Sequence, residues 1–495
     1  MPVPSDPGPA APRQILPVSI SAFLLLAALG LVLDGCSQRV SRYALVDDSL
    51  RAGDPTRADQ VVERAEPEYG AAGRVLYRMD RGMTLHLAHR YRESNVLLEQ
   101  AEEEIERLYT RRVGTETRAF LVNDALLPYE GDPYEQVMVN VLKALNYAAL
   151  GLWDDALVEA RRIDHRLNVL SDQADGRNSY RDDPFARYLT GVLYEVTGDT
   201  NNAFIAFRKA YEGYRQSLSW THVQVPHGLR ADLLRTTEAL QLAQEHEEYR
   251  QAFPDAAWQP SAVTGQLAHI VVISYNGRAP RKEDLFLDLP VSLDALRLVL
   301  LTKSVVGPGN QDSRAAESLL YGLNGRVVRV AVPTLMPQKT PVAYSQISLL
   351  GANDTVSGRT ELAQNIAALA ERSLGERFGR IAMKAVARAA VKYALAEGVG
   401  HGARMAAGHN DAGPLIGLLV GSLAHLLAIS SEEADKRSWR TLPDEIQIAR
   451  LWIAPGTYEL RLRSVTKTGE VGRESVQSVT LQAGETRFVT QRVLP

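Results

Sequence analysis

The chain has 495 residues, 55 Lys and Arg against 59 Asp and Glu for a formal charge of −4, and 45% apolar residues. A balance so near neutral excludes a general nucleic-acid binder, which needs a clustered positive excess to release counterions, and the length allows about two to four domains. The single cysteine, Cys36, excludes internal disulfides and any multi-cysteine zinc site.

Residues 1–14 are rich in proline with one basic residue, Arg13, and an apolar run follows from Ile15 to Leu33. This pattern reads as a secretion signal over residues 1–35. It ends in Leu33-Asp34-Gly35-Cys36-Ser37, which resembles a bacterial lipobox with Cys36 as the residue that receives the lipid. The alternative is an uncleaved anchor, since about 18 apolar residues can span a bilayer. Either way the rest of the chain is expected tethered to a membrane, outside the cytoplasm. By the same resemblance, Ser37 after the cysteine is compatible with an outer-membrane lipoprotein facing the periplasm.

From residue 36 to residue 254 the periodicity is helical. Gly191, Tyr194, Gly198, Ala203, Phe207 and Ala210 share their spacing with Ala144, Tyr147, Gly151, Ala156, Ala160 and Ile163. The pattern recurs more loosely at Gly82, Leu85, His89, Ser94, Leu98 and Ala101, and its second half at Gly53, Ala58, Val62 and Ala65. This is the spacing of a tetratricopeptide-like repeat, in which small residues let paired helices approach, Ala144 facing Ala156 and Gly191 facing Ala203. Turns are expected at positions 53, 89, 151 and 198, polar insertions at 108–136 and 169–184, and a last helix from Leu229 to Phe253. The repeat offsets put His86, Tyr188 and Glu195 on the wall of a concave groove open to a partner.

After Pro254 the composition turns to strands. They are expected at Leu267–Tyr275, Arg326–Val332 and Ala343–Leu350 within a β-rich part, 265–357, and at Ile446–Ile453, Tyr458–Val465, Val476–Leu481 and Thr486–Val493 within an antiparallel β part, 437–495. Between them lies a helical block, 358–430, made of a basic amphipathic helix, Thr360 to Gly398, and an apolar helix, Pro414 to Ile429. Arg377, Arg380, Lys384, Arg388 and Lys392 step by three or four and share one helix face, which suits packing on the sheet with cations in water, or rest on anionic lipid. The fold class expected is therefore α+β and multidomain: a tetratricopeptide-like α-solenoid, then a mixed domain with a helical block and an antiparallel β-sandwich-like sheet.

Several strings resemble a family of bacterial lipoproteins with tetratricopeptide-like repeats. They are Tyr129-Glu130, Tyr134-Glu135, Lys143 to Tyr147, Glu159 to Arg162, Gly277 to Lys282, Arg437-Ser438-Trp439-Arg440-Thr441-Leu442-Pro443, Ala449-Arg450-Leu451 and Pro455 to Tyr458. The likeness implies envelope work, relatives being encoded near activators of peptidoglycan synthases in some bacteria, and supplies no catalytic residues.

No phosphate loop, HExxH or GxSxG motif occurs, His86 and His89 lack acidic or cysteine companions for a metal, and no nucleophile, base and orienting group assemble. No enzyme activity, cofactor, metal, small-molecule substrate or nucleic acid is expected. The reading that follows is a lipid-anchored periplasmic scaffold whose groove, with His86, Tyr188 and Glu195, docks a protein of the cell envelope. Its rival is a module that binds lipid or peptidoglycan directly through helix 377–392 and the loop of Arg437, Trp439 and Arg440, since an aromatic flanked by cations can grip a glycan or a carboxylate.

Overall fold

The computed structural model describes residues 42–112, 126–173, 183–290, 327–352, 354–406 and 433–494. The leader, Cys36 and the apolar segment 414–429 lie outside the described residues. The chain is mixed α and β. Its helices run α1 (42–51), α2 (Pro55–Arg64), α3 (Glu66–Tyr69), α4 (Arg74–Leu87), α5 (Tyr91–Arg112), α6 (Pro133–Ala149) and α7 (Trp153–Gln173). They continue as α8 (Pro184–Val196), α9 (Thr200–Thr221), α10 (His227–Ala239), α11 (Ala243–Ala252) and the short α12 (Ser261–Thr264).

Local chemistry sets the ends of these helices. α2, α6 and α8 each open with Asp-Pro, the proline preset for the first helical position. Asp54 and Asp183 accept from backbone N–H groups three residues on, and Asp132 forms a reciprocal capping box with Glu135. Gly53, His89, Gly151, Gly198 and Gln241 are all left-handed, with φ between 57° and 80°. At each, the next residue donates to the carbonyl five positions back at 2.9 Å, from Asp54 to Ser49, Arg90 to Leu85, Leu152 to Tyr147, Asp199 to Tyr194 and Leu242 to Thr237. One turn geometry therefore recurs at the four expected positions and at a fifth. That fifth turn divides the single helix expected over Leu229–Phe253. Successive helices pack on one another in chain order. Gly191 lies against the ring of Phe207.

The strands are β1 (Ala268–Asn276), β2 (Arg281–Pro290), β3 (Val327–Met336), β4 (Val342–Leu350), β5 (Thr355–Arg359), β6 (Glu361–Asn365), β7 (Glu445–Ile453), β8 (Gly456–Thr466), β9 (Val471–Leu481) and β10 (Thr486–Val493). Among the described residues they form one sheet ordered β10-β1-β7-β6, a second ordered β5-β4-β8-β9, and the antiparallel pair β2-β3. The C-terminal part is not purely antiparallel, since β10 runs parallel to β1. Both larger sheets draw strands from either side of the helical block, so the two expected β parts interleave. The helix expected from Thr360 starts at Ile366, because residues 355–365 pair as β5 and β6; this helix, α13, spans Ile366–Ala406.

Three layers result. Ala268, Ile270 and Val272 of β1 meet Ile347, Leu349, Leu460 and Leu462 of the second sheet. Val271, Ile273 and Tyr275, on the other face of β1, join Ile446, Ile448 and Phe488 in the core of the helices. All nine residues of β1 are buried, as a strand covered on both faces requires. On β8 the alternation holds, with Tyr458, Leu460 and Leu462 inward. The last short helix before the sheets ends at Thr264 and the first strand begins at Ala268, and the helices and sheets share one continuous core.

Candidate functional site

The positions expected to line an open groove are closed by the chain's own sheet. His86, on α4, is buried with Nδ1 2.6 Å from Asn146 Oδ1 and Nε2 3.0 Å from the hydroxyl of Tyr275 on β1. Burial pushes its pKa down to about 4, so the ring is neutral. Tyr188, on α8, is buried and donates to Asp232 at 3.0 Å. Glu195 accepts from Arg235 at 2.6 Å and from Arg450 of β7 at 2.5 Å. Arg450 also pairs with Asp232 and donates from Nε to His269 at 3.0 Å. His269 stacks on Trp452 at 4.1 Å, its pKa held well below the usual range by burial and then by Arg450. Two carboxylates and two guanidiniums thus fasten helices to sheet where a partner segment was expected.

Trp439 is not presented to a partner either. It is fully buried, and its backbone N–H donates to Glu135 at 2.7 Å. Glu135 also accepts from Tyr129 at 2.5 Å and from the Asp132 N–H at 2.8 Å. Burial and then the charge of Asp132 raise its pKa to about 7. Burial opposes ionisation of Asp132 as well, but Arg377 at 2.6 Å and Lys282 at 3.0 Å hold it below the usual carboxylate range. A second carboxylate secures the same loop: Asp80 accepts from Thr441 at 2.9 Å, Tyr43 at 2.6 Å and Tyr69 at 2.8 Å. Arg437 donates to the carbonyls of Ala72 at 3.0 Å and Leu127 at 2.9 Å and lies over the Tyr129 ring. Arg440 differs from it. Its guanidinium lies over Tyr43 at 4.2 Å and, among the described residues, forms no ion pair.

Two adjoining cavities border this loop. The larger, about 520 Å³, lies between α1, α3, the start of β2 and residues 433–440. Tyr43, Tyr69, Ala72 and Leu76 give it an apolar wall. Its charged rim has six cations, Arg42, Arg281, Lys282, Lys436, Arg437 and Arg440, against the four carboxylates Glu68, Glu283, Glu433 and Asp435. The smaller, about 240 Å³, shares Lys282, Asp435 and Arg437 and adds Arg377, Arg380 and Lys384 of α13. The structure therefore gathers the front of the basic helix and the Arg437–Arg440 loop, which the sequence separates by about fifty positions, around one face. Within the stripe Arg377 is paired with Asp132, Arg380 is exposed and Lys384 is half-buried; the side chains of Arg388 and Lys392 lie outside the description.

The carboxylates that seat the loop, Asp80 and Glu135, and Asp132, which holds Arg377 and Lys282 beside it, are not among the site residues expected from sequence. The signal for two of them was present as a capping pattern, Asp-Pro with Glu three residues on. Among the described residues no group of three or more His, Cys, Asp and Glu could hold a metal ion, and no helix is long and apolar enough to cross a membrane. Neither the family models nor the curated proteins compared with the chain gave a match, so the comparison assigns it to no family.

Proposed function

We propose that the chain is a non-catalytic binding module of the bacterial cell envelope, tethered at Cys36, that engages an anionic envelope component through the basic face of Arg380, Lys384 and Arg440. In this reading the helices are a tetratricopeptide-like stack, with the repeated left-handed turn in its support, and they act as a frame. The observation that carries it is the convergence of cations from two distant segments on adjoining cavities, while His86 and Tyr188 are buried and Glu195, half-buried, is paired with Arg450 of the chain's own β7. A protein docking in the concave face as first expected would have to displace that sheet and leave Glu195 and Asp232 buried without Arg450, which costs several kcal/mol, on the order of 3–5. The surface reading requires no such opening.

The test is co-sedimentation of a soluble form starting at Ser37 with phosphatidylglycerol vesicles and, separately, with sacculi. Binding that falls with added salt and is lost in the double variant Arg380→Glu and Lys384→Glu supports the reading, because surface cations act through screened charge. Sedimentation with neither material overturns it.

A further inference from the structure

We infer that the cavity of about 520 Å³ between α1, α3 and residues 433–440 binds one molecule of an anionic lipid, a phosphate ester carrying an apolar chain. This rests on the envelope reading above and deepens it from a charged surface to a defined site with one ligand class.

Size is the first ground. Cavities of roughly 300–1,000 Å³ with an apolar lining and a few polar groups are those that enclose small ligands. Composition is the second. Tyr43, Tyr69, Ala72 and Leu76 line one wall; the Tyr43 and Tyr69 hydroxyls are committed to Asp80, and the Arg42 guanidinium lies over both rings at 4.9 and 4.0 Å, so apolar surface and cation meet on the same wall. The rim around that wall carries the cationic excess, with Arg440 also over Tyr43.

Charge accounting separates Arg440 from the rest of that rim. Arg42 is paired with Glu68, Arg281 with Glu283, Lys282 with Asp132, Lys436 with Asp284 and Arg437 with Asp435. Arg440 rests on the Tyr43 ring, where a guanidinium keeps its donors available for an anion. A phosphate oxygen placed beside it would meet a planar fork suited to two parallel hydrogen bonds.

Chain length is the third ground and selects the source. Arg42 and Tyr43, which line the cavity, follow Cys36 by six and seven residues. A chain that extends at most about 3.6 Å per residue keeps the cavity within roughly 25 Å of an acylated cysteine. An anchored copy therefore holds this site beside the lipid headgroups, where a basic patch also gains from the negative surface potential.

The experiment uses the mature-length chain with Cys36→Ser, which lacks only the acyl group. Dihexanoyl-glycero-3-phosphate, kept below its micelle threshold, is titrated calorimetrically. The expected result is one molecule bound per chain, with glycerol 3-phosphate and dihexanoylphosphatidylcholine each weaker by about tenfold or more. Arg440→Ala weakens binding by a similar factor, Arg440→Lys retains most of it, and Ala72→Phe, which fills the cavity from a half-buried position, abolishes it. Circular dichroism and thermal midpoint monitor folding of each variant. No heat with the short-chain phosphatidate overturns the inference, and so does binding indifferent to both Arg440→Ala and Ala72→Phe. Equal affinity for glycerol 3-phosphate overturns the lipid and points to a free phosphate ester. Vesicle sedimentation separates the two readings: vesicles bound without the soluble lipid defeat this site alone, and the soluble lipid bound without vesicles defeats the surface reading alone.

Discussion

The hydroxyl of Tyr275 on β1 donates to Nε2 of His86 on α4 at 3.0 Å, joining residues 189 positions apart across the helix–sheet boundary. The direction is fixed from behind. Asn146 spends its amide N–H groups on Ser94 at 2.9 Å and Asn95 at 2.7 Å, which turns its carbonyl oxygen to His86 Nδ1. That nitrogen carries the proton, and Nε2 must accept. Tyr275→Phe leaves a buried acceptor without a donor and should cost about 1–3 kcal/mol in urea unfolding. An unchanged midpoint would show that the pair contributes nothing to the join.

Acidification should weaken the same join. The unfolded chain protonates His86 near the ordinary histidine value of about 6.5, whereas burial holds the folded ring neutral down to about 4. Its folded pKa is depressed, so the stability it lends is complete above the unfolded value and is lost as pH falls through the window between the two. The loss at full depth is about 3 kcal/mol. Comparing wild type with His86→Gln from pH 7.5 to 4 isolates it, because His269 and Glu135 titrate alike in both. A difference that stays level with pH contradicts a neutral buried His86.

The cluster around Arg450 supports a sharper test. Glu195 and Asp232 share Arg235 and Arg450, and both arginines are almost fully buried. Arg450→Met removes one of two compensating charges and should cost about 3–5 kcal/mol. Adding Glu195→Gln to that variant should recover a large part, since it removes the carboxylate left over. Denaturant unfolding of the four chains of the cycle measures the coupling, and simple additivity would mean the two residues do not act as a unit.

The helical half of the fold was largely legible, because its turns are local. A left-handed residue seven positions after a small one leaves a mark at Gly151 and Gly198 that survives without tertiary information. Gln241 shows where this fails: its turn has the same backbone, but its flanking residues Leu234 and His246 break the small-residue spacing. What covers the face of the helices that carries His86 was not legible. Leu267 to Tyr275 carries apolar residues on both faces, the mark of a strand buried twice, yet nothing in that stretch says that one cover is α4 and α6. His86 meets Tyr275 of β1, and Tyr188 and Glu195 meet Asp232 and Arg450, contacts that no repeat offset announces. Likewise Arg437 and Arg380 lie on one rim only because α13 folds back beside the loop, a relation fixed by Asp132 and absent from any local pattern.

Close approach of α8 and α9 depends on Gly191. A methyl group added there overlaps the Phe207 ring, which is itself fully buried and cannot turn aside freely. Gly191→Ala should therefore destabilise by about 1–3 kcal/mol through overpacking. At Gly82 an added methyl would meet Cδ2 and Cγ of Leu98, also fully buried, so Gly82→Ala should be destabilising for the same reason. Pairing Gly191→Ala with Phe207→Leu should give a loss smaller than the sum of the two single changes. Thermal unfolding of the set checks these losses, and strict additivity would remove the glycine–ring contact as the cause.

The five recurring turns predict one stabilising change. Gly53, Gly151 and Gly198 take φ near 70–80° at little steric cost, whereas Gln241 at 57° brings its Cβ toward the following carbonyl. Glycine loses more backbone freedom on folding, which offsets part of the gain, so Gln241→Gly should stabilise by about 0.5–1 kcal/mol. The Gln241 side chain is exposed at a turn between α10 and α11, so its removal loses little packing. His89 has the same backbone but also bonds Tyr91 at 2.6 Å, so His89→Gly loses a contact with the strain and should be close to neutral. Chemical denaturation of both variants beside Gly198→Ala, expected to lose about 1 kcal/mol, tests whether a shared left-handed geometry sets the sign. If Gln241→Gly weakens the fold, its side chain contributes more than its backbone strain removes, and the turn at 241 is not equivalent to the other four.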